Sequence, residues 1–172
     1  VDLHFLREQR RAEFDSENDF EHWQQVEFFL SNLADDVLVV SPVEKEIMEQ
    51  KGFENKVSVI SNVHEVIGSA TGFEARKDLL FIGGFLHDPN EDAMLWFVEK
   101  IFPGIQRELG EITLHIVGSH PTDAVRALAG EHVNVTGFVE DVTPYFEMAR
   151  VFVSPLRYGA GVKGKIGQSL SY

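Results

Sequence analysis

The stretch that decides the fold is Phe152–Tyr172, which reads FVSPLRYGAGVKGKIGQSLSY. A short apolar strand leads into a glycine-rich turn and then into a helix, the order in which α/β proteins hold phosphates. Glycine lets the backbone approach a ligand closely, and the turn contains three: Gly159, Gly161 and Gly164. Because Lys163 and Lys165 bring positive charge to the same turn, the stretch predicts a bound anion.

Residue types alone leave two interpretations of this turn open. In the first, the glycines only shape a strand-to-helix connection and the lysines lie in solvent. In the second, Gly159, Gly164 and Lys165 form the G-x-x-x-x-G-K part of a P-loop. Ile166 then stands where that motif places the Ser or Thr that meets Mg²⁺. The P-loop NTPase is therefore the weaker hypothesis.

Composition limits the class of protein. The chain has 172 residues, 44% of them hydrophobic, which is enough for a buried core in one domain or in parts of two. A net charge of -13 argues against nucleic-acid binding. The chain has no cysteine, which excludes disulfides and thiolate metal sites and suits a reducing, cytoplasmic compartment. Neither a signal peptide nor an apolar run of roughly 18 residues is present, although contact with a membrane-bound acceptor stays open.

The first part of the chain predicts a βαβ unit. Residues 36–41 and 56–61 have the apolar pattern of strands, and Pro42 opens a helix between them that ends near Gly52. Residues 19–34 repeat apolar side chains at helical spacing, which indicates core packing. Residues 1–14 carry mixed charges and are expected to form a solvated helix or loop. A first domain is thus predicted over residues 1–62, with parallel strands.

A second α/β block follows a linker predicted at residues 63–77, where His64 is expected at the surface. Strands are predicted at residues 78–84, 112–118, 133–137 and 151–154, and helices alternate with them. Asn90 and Asp141 are interpreted as helix N-caps, and Pro103 is expected to interrupt the helix at residues 91–109. His115, in mid-strand, is interpreted as a core histidine with a hydrogen-bond partner. Ligands of such a sheet bind at the strands' carboxyl ends.

Four segments together resemble family 4 glycosyltransferases, which retain anomeric configuration. They are the DLH-x-x-R pattern of Asp2, His4 and Arg7, followed by FIGG at 81–84, GFVED at 137–141 and SPLRYGAGVKGKIGQSLS at 154–171. The resemblance implies the GT-B architecture of two Rossmann-like domains with parallel sheets and flanking helices, here truncated at both ends. Residues 1–62 would close the acceptor-side domain, and residues 78–172 would form an incomplete donor-side domain.

What the resemblance implies about function is specific. A hexose would pass from a nucleoside diphosphate sugar to a glycan or lipid-linked acceptor, without a cofactor or a required metal ion, and the fragment alone would be inactive. The resemblance places Gly83, Gly84, Gly161 and Lys163 on the diphosphate, with Lys165 directed away along the helix. It places Phe138 and Val139 on the base and Gln168 on the ribose. The catalytic residues stay unknown, and any that belong to the first half of the acceptor-side domain would lie outside the given sequence.

The chain departs from the resembled family at two positions. The family's donor loop carries two glutamates eight positions apart, whereas Ala160 and Gln168 occupy those positions here. Gln168 can hydrogen-bond a ribose diol, but without the charge that a carboxylate brings. A module that binds a nucleotide without turning it over is therefore a further alternative to the transferase.

Overall fold

A computed structural model describes residues 3–14 and 19–172 of the chain. These residues divide into two compact units. The first unit runs through Val63 and takes in Tyr158–Gly164. The second comprises His64–Arg157 and Lys165–Tyr172. The glycine-rich stretch quoted above is therefore shared between the units, with Lys163 in the first and Lys165 in the second.

The first unit contains the predicted βαβ element. Strands β1 (Val37–Val39) and β2 (Val57–Val59) pair in parallel, with Val37 opposite Val57. Helix α3 (Pro42–Met48) connects them and continues into a wider π-helical turn, Glu49–Phe53, that ends around Gly52 at φ 97°. The parallel pairing and the glycine at the helix end agree with the sequence prediction.

Helices α1 (His4–Arg11) and α2 (Phe20–Leu33) precede β1. The expectation that residues 1–14 are merely solvated is wrong for α1, because Phe5 and Leu6 are buried. Within this unit, α1 packs on α2, and Phe5 contacts Phe28 edge-on with 5.4 Å between ring centroids. The apolar residues of α1 therefore contribute to the first unit's core, and Glu8 of the same helix is also buried, paired with Arg7.

The second unit is built on a parallel sheet of four strands in the order β5-β4-β3-β6. The strands are β3 (Asp78–Ile82), β4 (Leu114–Val117), β5 (Val133–Gly137) and β6 (Ala149–Phe152). The helices are α4 (Asp88–Trp96), α5 (Phe102–Leu109), α6 (Asp123–Arg126), α7 (Thr143–Met148) and α8 (Gly164–Leu170). The predicted alternation of parallel strands and helices is confirmed.

Alternating residues of β3 supply the cores on the two faces of this sheet. Leu79 and Phe81 pack into one cluster with residues of α4 and α5, whereas Leu80 joins a second cluster that contains Phe146 of α7. A strand covered on both faces carries a continuous apolar run. This explains why residues 79–82, LLFI, contain no polar position.

Local details both follow and correct the sequence predictions. Pro103 does interrupt the long helix, since a π-helical turn, Phe97–Ile101, separates α4 from α5. Asn90 is not an N-cap: α4 begins at Asp88, His87 is its N-cap, and Asn90 lies in the first turn. Asp141 caps α7 from one residue further out, because its carboxylate accepts from the Thr143 N–H at 2.9 Å while Val142 occupies the N-cap position.

Candidate functional site

Glycines line the carboxyl edge of the four-stranded sheet. Gly83 follows β3, Gly118 follows β4, and Gly137 closes β5. The Gly83 N–H donates to the Val117 carbonyl at 2.9 Å, and the Gly118 N–H donates to the Gly137 carbonyl at 3.0 Å. A Cβ on Gly118 would collide with the Gly83 carbonyl. The strand ends can therefore approach each other this closely only because no side chain stands between them.

This edge also contains the point where the strand order reverses. The chain adds β4 and β5 on one side of β3 and then places β6 on the other side. Parallel α/β sheets bind ligands in the crevice outside such a reversal. The segment after β6 is fixed there by Arg157, whose guanidinium makes a two-pronged ion pair with Asp92 of α4. The segment after β6 is thus attached to α4, the helix that follows β3.

Lys165 brings a positive charge to this edge. Its ammonium donates to the Asn90 Oδ1 atom at 2.6 Å and lies 4.2 Å from the centroid of the Phe81 ring. A Cβ on Gly83 would come within 2.7 Å of the Lys165 Nζ atom. The expectation that Lys165 points away along the helix is therefore wrong: its side chain turns back to the loop after β3.

The loop after β4 supports the Gly83–Gly84 turn from the other side. The Phe85 N–H donates to the Ser119 carbonyl at 2.9 Å, and a Cβ on Gly84 would come within 3.3 Å of the Ser119 hydroxyl. His120, the next residue, is held at φ 54°, a left-handed conformation that is uncommon outside glycine. Non-glycine residues in this conformation cluster at ligand sites.

The two residues predicted to bind the base differ in exposure. Phe138 follows β5 and has 76% of its surface exposed, so its ring is available for stacking. Val139 is partly buried and packs against the cluster that contains Leu80 and Val117. Phe138 can therefore contact a base with its side chain, whereas Val139 mainly anchors the turn.

Gln168 lies half-buried on α8, in the second unit together with Gly83 and Gly84. The helix is held from two sides. The N–H groups of Ile67 and Gly68 both donate to the Ser171 carbonyl, at 2.8 and 2.7 Å. His64 is exposed, as predicted, but its ring lies where a Cβ on Gly167 would be. Residues of the predicted linker thus pack on α8.

The remaining predicted diphosphate ligands belong to the first unit. Gly161 has φ 69°, and Lys163 donates to the Ala160 carbonyl at 2.7 Å. Ala160, at one of the two expected glutamate positions, is 6% exposed and packs in the first unit's core. The Arg10 guanidinium donates to the Gly159 carbonyl at 2.6 Å. The loop is thus fixed to its own unit, and roles for Gly161 and Lys163 at a diphosphate remain predictions.

The DLH-x-x-R segment is only partly described, since Asp2 lies outside the described residues. The His4 Nδ1 atom lies 3.2 Å from the Glu27 carboxylate, and Arg7 pairs with Glu8 at 3.1 Å. His4 and Glu27 also border a cavity of about 550 Å³ within the first unit. Most of its other lining is apolar: Leu3, Trp23, Val26, Leu30, Ala34, Val37, Leu38 and Val39.

Two observations concern metal binding and the membrane, and both refer to residues 3–14 and 19–172. No group of three His, Asp or Glu side chains among them converges to hold a metal ion. None of the helices in the same ranges is both long enough and apolar enough to cross a membrane. His115, as predicted, has partners: Nε2 lies 3.3 Å from the Asp78 carboxylate, and Nδ1 lies 3.3 Å from the Asn134 amide.

Sequence reasoning missed two residues of this edge. Asn90 follows a proline at the start of a helix, and this position favours an N-cap role. Nothing in the local sequence indicates that its side-chain amide reaches back to Gly84. For Lys165, a helix that continues from the turn is expected to direct the side chain outward. The sequence therefore predicts that Lys165 lies away from Gly83. Pairing of lysine with an asparagine 75 positions earlier has no signature within either segment.

Comparison with known proteins agrees with this fold. The family model described as "Glycosyl transferases group 1" matches residues 76–172, more than half of the chain. No curated protein sequence gives a match. The crystal structure of TarM is similar, with a TM-score of 0.72 at 15% identity over 92% of this chain. A mutant of S. aureus TarM, in complex with Fondaparinux, alpha-GlcNAc-glycerol and UDP, gives 0.65 at 16% identity over 82% of this chain.

Each structural match covers only part of a TarM chain. The chain spans 32% of the first TarM chain and 29% of the second. At these identities the likeness shows the fold, which is mixed α/β with parallel sheets, as in TarM. The predicted fold class is confirmed.

Proposed function

Because this chain belongs to the group 1 glycosyl transferase family, we propose that it transfers a hexose from a nucleoside diphosphate sugar to a glycan or lipid-linked acceptor. We further propose the family 4 subclass, in which the anomeric configuration is retained. The residues 78–172 would bind the donor, and residues 1–62 would belong to the acceptor side. A cytoplasmic location goes with this proposal, because a cysteine-free chain suits a reducing compartment.

One observation carries the proposal: the carboxyl edge of the four-stranded sheet presents bare backbone together with one ammonium. Gly83 and Gly84 expose main chain at the point where the strand order reverses, and Lys165 lies beside them. A diphosphate needs hydrogen-bond donors and positive charge placed before the reaction begins. Lys165 supplies the positive charge, and the exposed Gly84 backbone is the proposed hydrogen-bond donor.

The main electrostatic requirement of the reaction is that the negative charge of the leaving group be stabilised. The bond between the anomeric carbon and the diphosphate oxygen breaks, and the diphosphate leaves with the electron pair. The acceptor hydroxyl oxygen bonds to the anomeric carbon, and its proton passes to the leaving diphosphate. We propose that Lys165 and the Gly84 backbone stabilise the departing diphosphate, so that a metal ion is not required. Gly83, whose N–H already donates to the Val117 carbonyl, allows close approach.

The nucleoside end has proposed contacts of its own. Phe138 would stack on the base, since its ring is exposed at the end of β5. Gln168 on α8 would hydrogen-bond the ribose hydroxyls. Because Gln168 lacks the charge of the usual glutamate, we expect weaker ribose binding than a carboxylate would give.

The experiment uses the full-length protein. Calorimetric titrations with UDP, GDP, dTDP and ATP, each with and without Mg²⁺, identify the nucleotide. The corresponding sugar nucleotides are then tested for release of nucleoside diphosphate, and NMR of the product gives the anomeric configuration. We expect tight binding of one nucleoside diphosphate without Mg²⁺ and sugar transfer with retention.

The alternatives give different results. Binding of a nucleoside diphosphate without any transfer would indicate the binding-only module. Binding of ATP that depends on Mg²⁺, with hydrolysis, would indicate the P-loop NTPase. In the transferase, Lys165→Ala is expected to weaken diphosphate binding about tenfold or more, the usual scale for a charge-assisted hydrogen bond. Lys100→Ala, which removes an exposed lysine of the same unit, should leave binding unchanged.

A further inference from the structure

Asn90 is a buried polar residue, and each polar atom of its side chain has a hydrogen-bond partner. It is 4% exposed. Its Oδ1 atom accepts from the Lys165 ammonium at 2.6 Å, and its Nδ2 atom donates to the Gly84 carbonyl at 2.7 Å. An ammonium can only donate and a carbonyl can only accept, so these two partners fix which way the amide faces.

The position of Asn90 in the chain makes this amide a rigid support. It lies in the first turn of α4, directly after Pro89, and its N–H donates to the His87 carbonyl at 2.9 Å. Side chains on a helix are held more firmly than side chains on a loop. Asn90 thus ties together two parts of the chain that are far apart in sequence: the turn after β3 and the first turn of α8.

The Asn90 amide and the Phe81 ring both contact the Lys165 ammonium. The Asn90 amide is neutral, and the Phe81 ring, 0% exposed, lies on the other side at 4.2 Å. The contrast within the same unit is Arg157, whose charge is met by the Asp92 carboxylate. The Asn90 amide thus positions the Lys165 ammonium through a neutral group, whereas Arg157 is held by a carboxylate.

Gly83 completes the arrangement by leaving room. A Cβ at this position would come within 2.7 Å of the Lys165 Nζ atom and within 2.9 Å of the Asn90 Nδ2 atom. Any side chain there would push the ammonium away from the turn. The glycine is thus needed for the lysine as well as for backbone approach.

We propose that Asn90 is a positioning residue for donor binding: its amide holds the Lys165 ammonium beside Gly83 and Gly84, where the diphosphate lies. The inference rests on the proposed function, since it concerns the same edge of the sheet. Asn90 acts on the diphosphate through Lys165. Its effect should therefore disappear when Lys165 is removed.

The test is a double-mutant cycle on the full-length protein. The probes are whichever of UDP, GDP and dTDP binds the wild type most tightly, and the matching nucleoside. We expect Asn90→Ala to weaken the diphosphate about tenfold and the nucleoside by less than twofold. In the Lys165→Ala background, Asn90→Ala should cost less than twofold for either probe. Asn32→Ala, an exposed asparagine bonded to the Phe28 carbonyl, is the matched control and should change neither.

Several results would overturn the inference. Equal losses for diphosphate and nucleoside would mean that Asn90 only supports the fold, and additive losses in the double variant would mean that it acts independently of Lys165. If Asn90→Ala does not fold, Gly83→Ala displaces the ammonium by another route. That variant should show the same selective loss, and an unchanged diphosphate affinity would contradict the proposal. Failure of the wild type to bind any nucleoside diphosphate would instead remove the proposed function and this inference with it.

Discussion

Glu147 of α7 holds the segment that precedes β3. Its carboxylate accepts from the Thr71 N–H at 2.6 Å, the Ala70 N–H at 2.8 Å and the Ser69 hydroxyl at 2.9 Å. Hydrogen bonds from Thr71 and Ala70 stabilise the ionised form and lower the pKa of Glu147 to about 2. One side chain thus fixes three consecutive residues of the predicted linker.

This contact predicts a dependence of stability on pH. A carboxyl group whose pKa is lowered by folding stabilises the protein above its unfolded pKa of about 4.5, and loses that contribution as the pH falls towards about 2. Urea unfolding of the wild type and of Glu147→Gln at pH 6 and pH 3 measures it. We expect the variant to be less stable at pH 6 and the difference to shrink at pH 3. A difference that stays constant or grows on acidification would contradict the assignment.

Single residues also show where sequence reasoning reached its limit. The glycines of the FIGG segment were placed correctly at the end of a strand, because an apolar run followed by glycine has a local pattern. The local sequence does not show which of Lys163 and Lys165 lies beside the glycines at the end of β3. It depends on which unit each side chain packs in, and two lysines separated by a single glycine carry no information about that.

Helix α3 shows how an element is fixed at its start. Ser41 is the N-cap and accepts from the Glu44 N–H at 3.1 Å, and Pro42 occupies the first turn. The Glu44 carboxylate is 1% exposed and accepts from the N–H groups of Val40, at 3.2 Å, and Leu3, at 3.3 Å. Glu44 therefore joins the start of α3 to the residue that precedes α1.

Removal of this carboxylate should destabilise the first unit. Glu44→Ala leaves buried N–H groups without an acceptor, which costs about 1–3 kcal/mol, and Ser41→Ala should cost about 1 kcal/mol. Urea unfolding followed by the fluorescence of Trp23, in a Trp96→Phe background, reports on this unit. Glu46→Ala, on the exposed side of the same helix, is the control and should have little effect. Equal effects at positions 44 and 46 would show that the buried contacts contribute nothing.

The sequence predicts elements well where one force dominates. Apolar runs predicted the buried strands. Pro103 predicted the break between α4 and α5, because proline cannot donate the helical hydrogen bond. The start of α4 was misplaced because the segment DPNED offers several residues that can open a helix. The choice between them is made by the contacts of Asn90 with Gly84 and Lys165, which come from elsewhere in the chain.

The chain first passes from one unit to the other within an exposed segment, residues 60–66. Val63 is 93% exposed and Val66 is 87% exposed. This segment contains no helix or strand. Exposed segments without secondary structure are preferred sites of proteolysis.

Limited proteolysis should therefore cut this segment first. Thermolysin cleaves before bulky apolar residues, so we expect early cuts before Val63 and Val66, identified by mass spectrometry of the products over time. Replacing both valines by aspartate should delay these cuts without changing the circular dichroism of the protein. First cuts within residues 78–157 would show that the second unit opens more readily than the segment before it.

The order β5-β4-β3-β6 was predicted only as an open parallel sheet, because periodicity identifies strands but not their neighbours. The order matters during synthesis, since β6 pairs with β3 and leaves the ribosome after β4 and β5. Until then, β3 has one unpaired edge of backbone groups, beside apolar residues, that could bind another extended chain. The strand order that forms the candidate crevice therefore leaves one edge of β3 open to mispairing in the nascent chain. Fast synthesis through residues 138–152 would shorten the time for which that edge is unpaired.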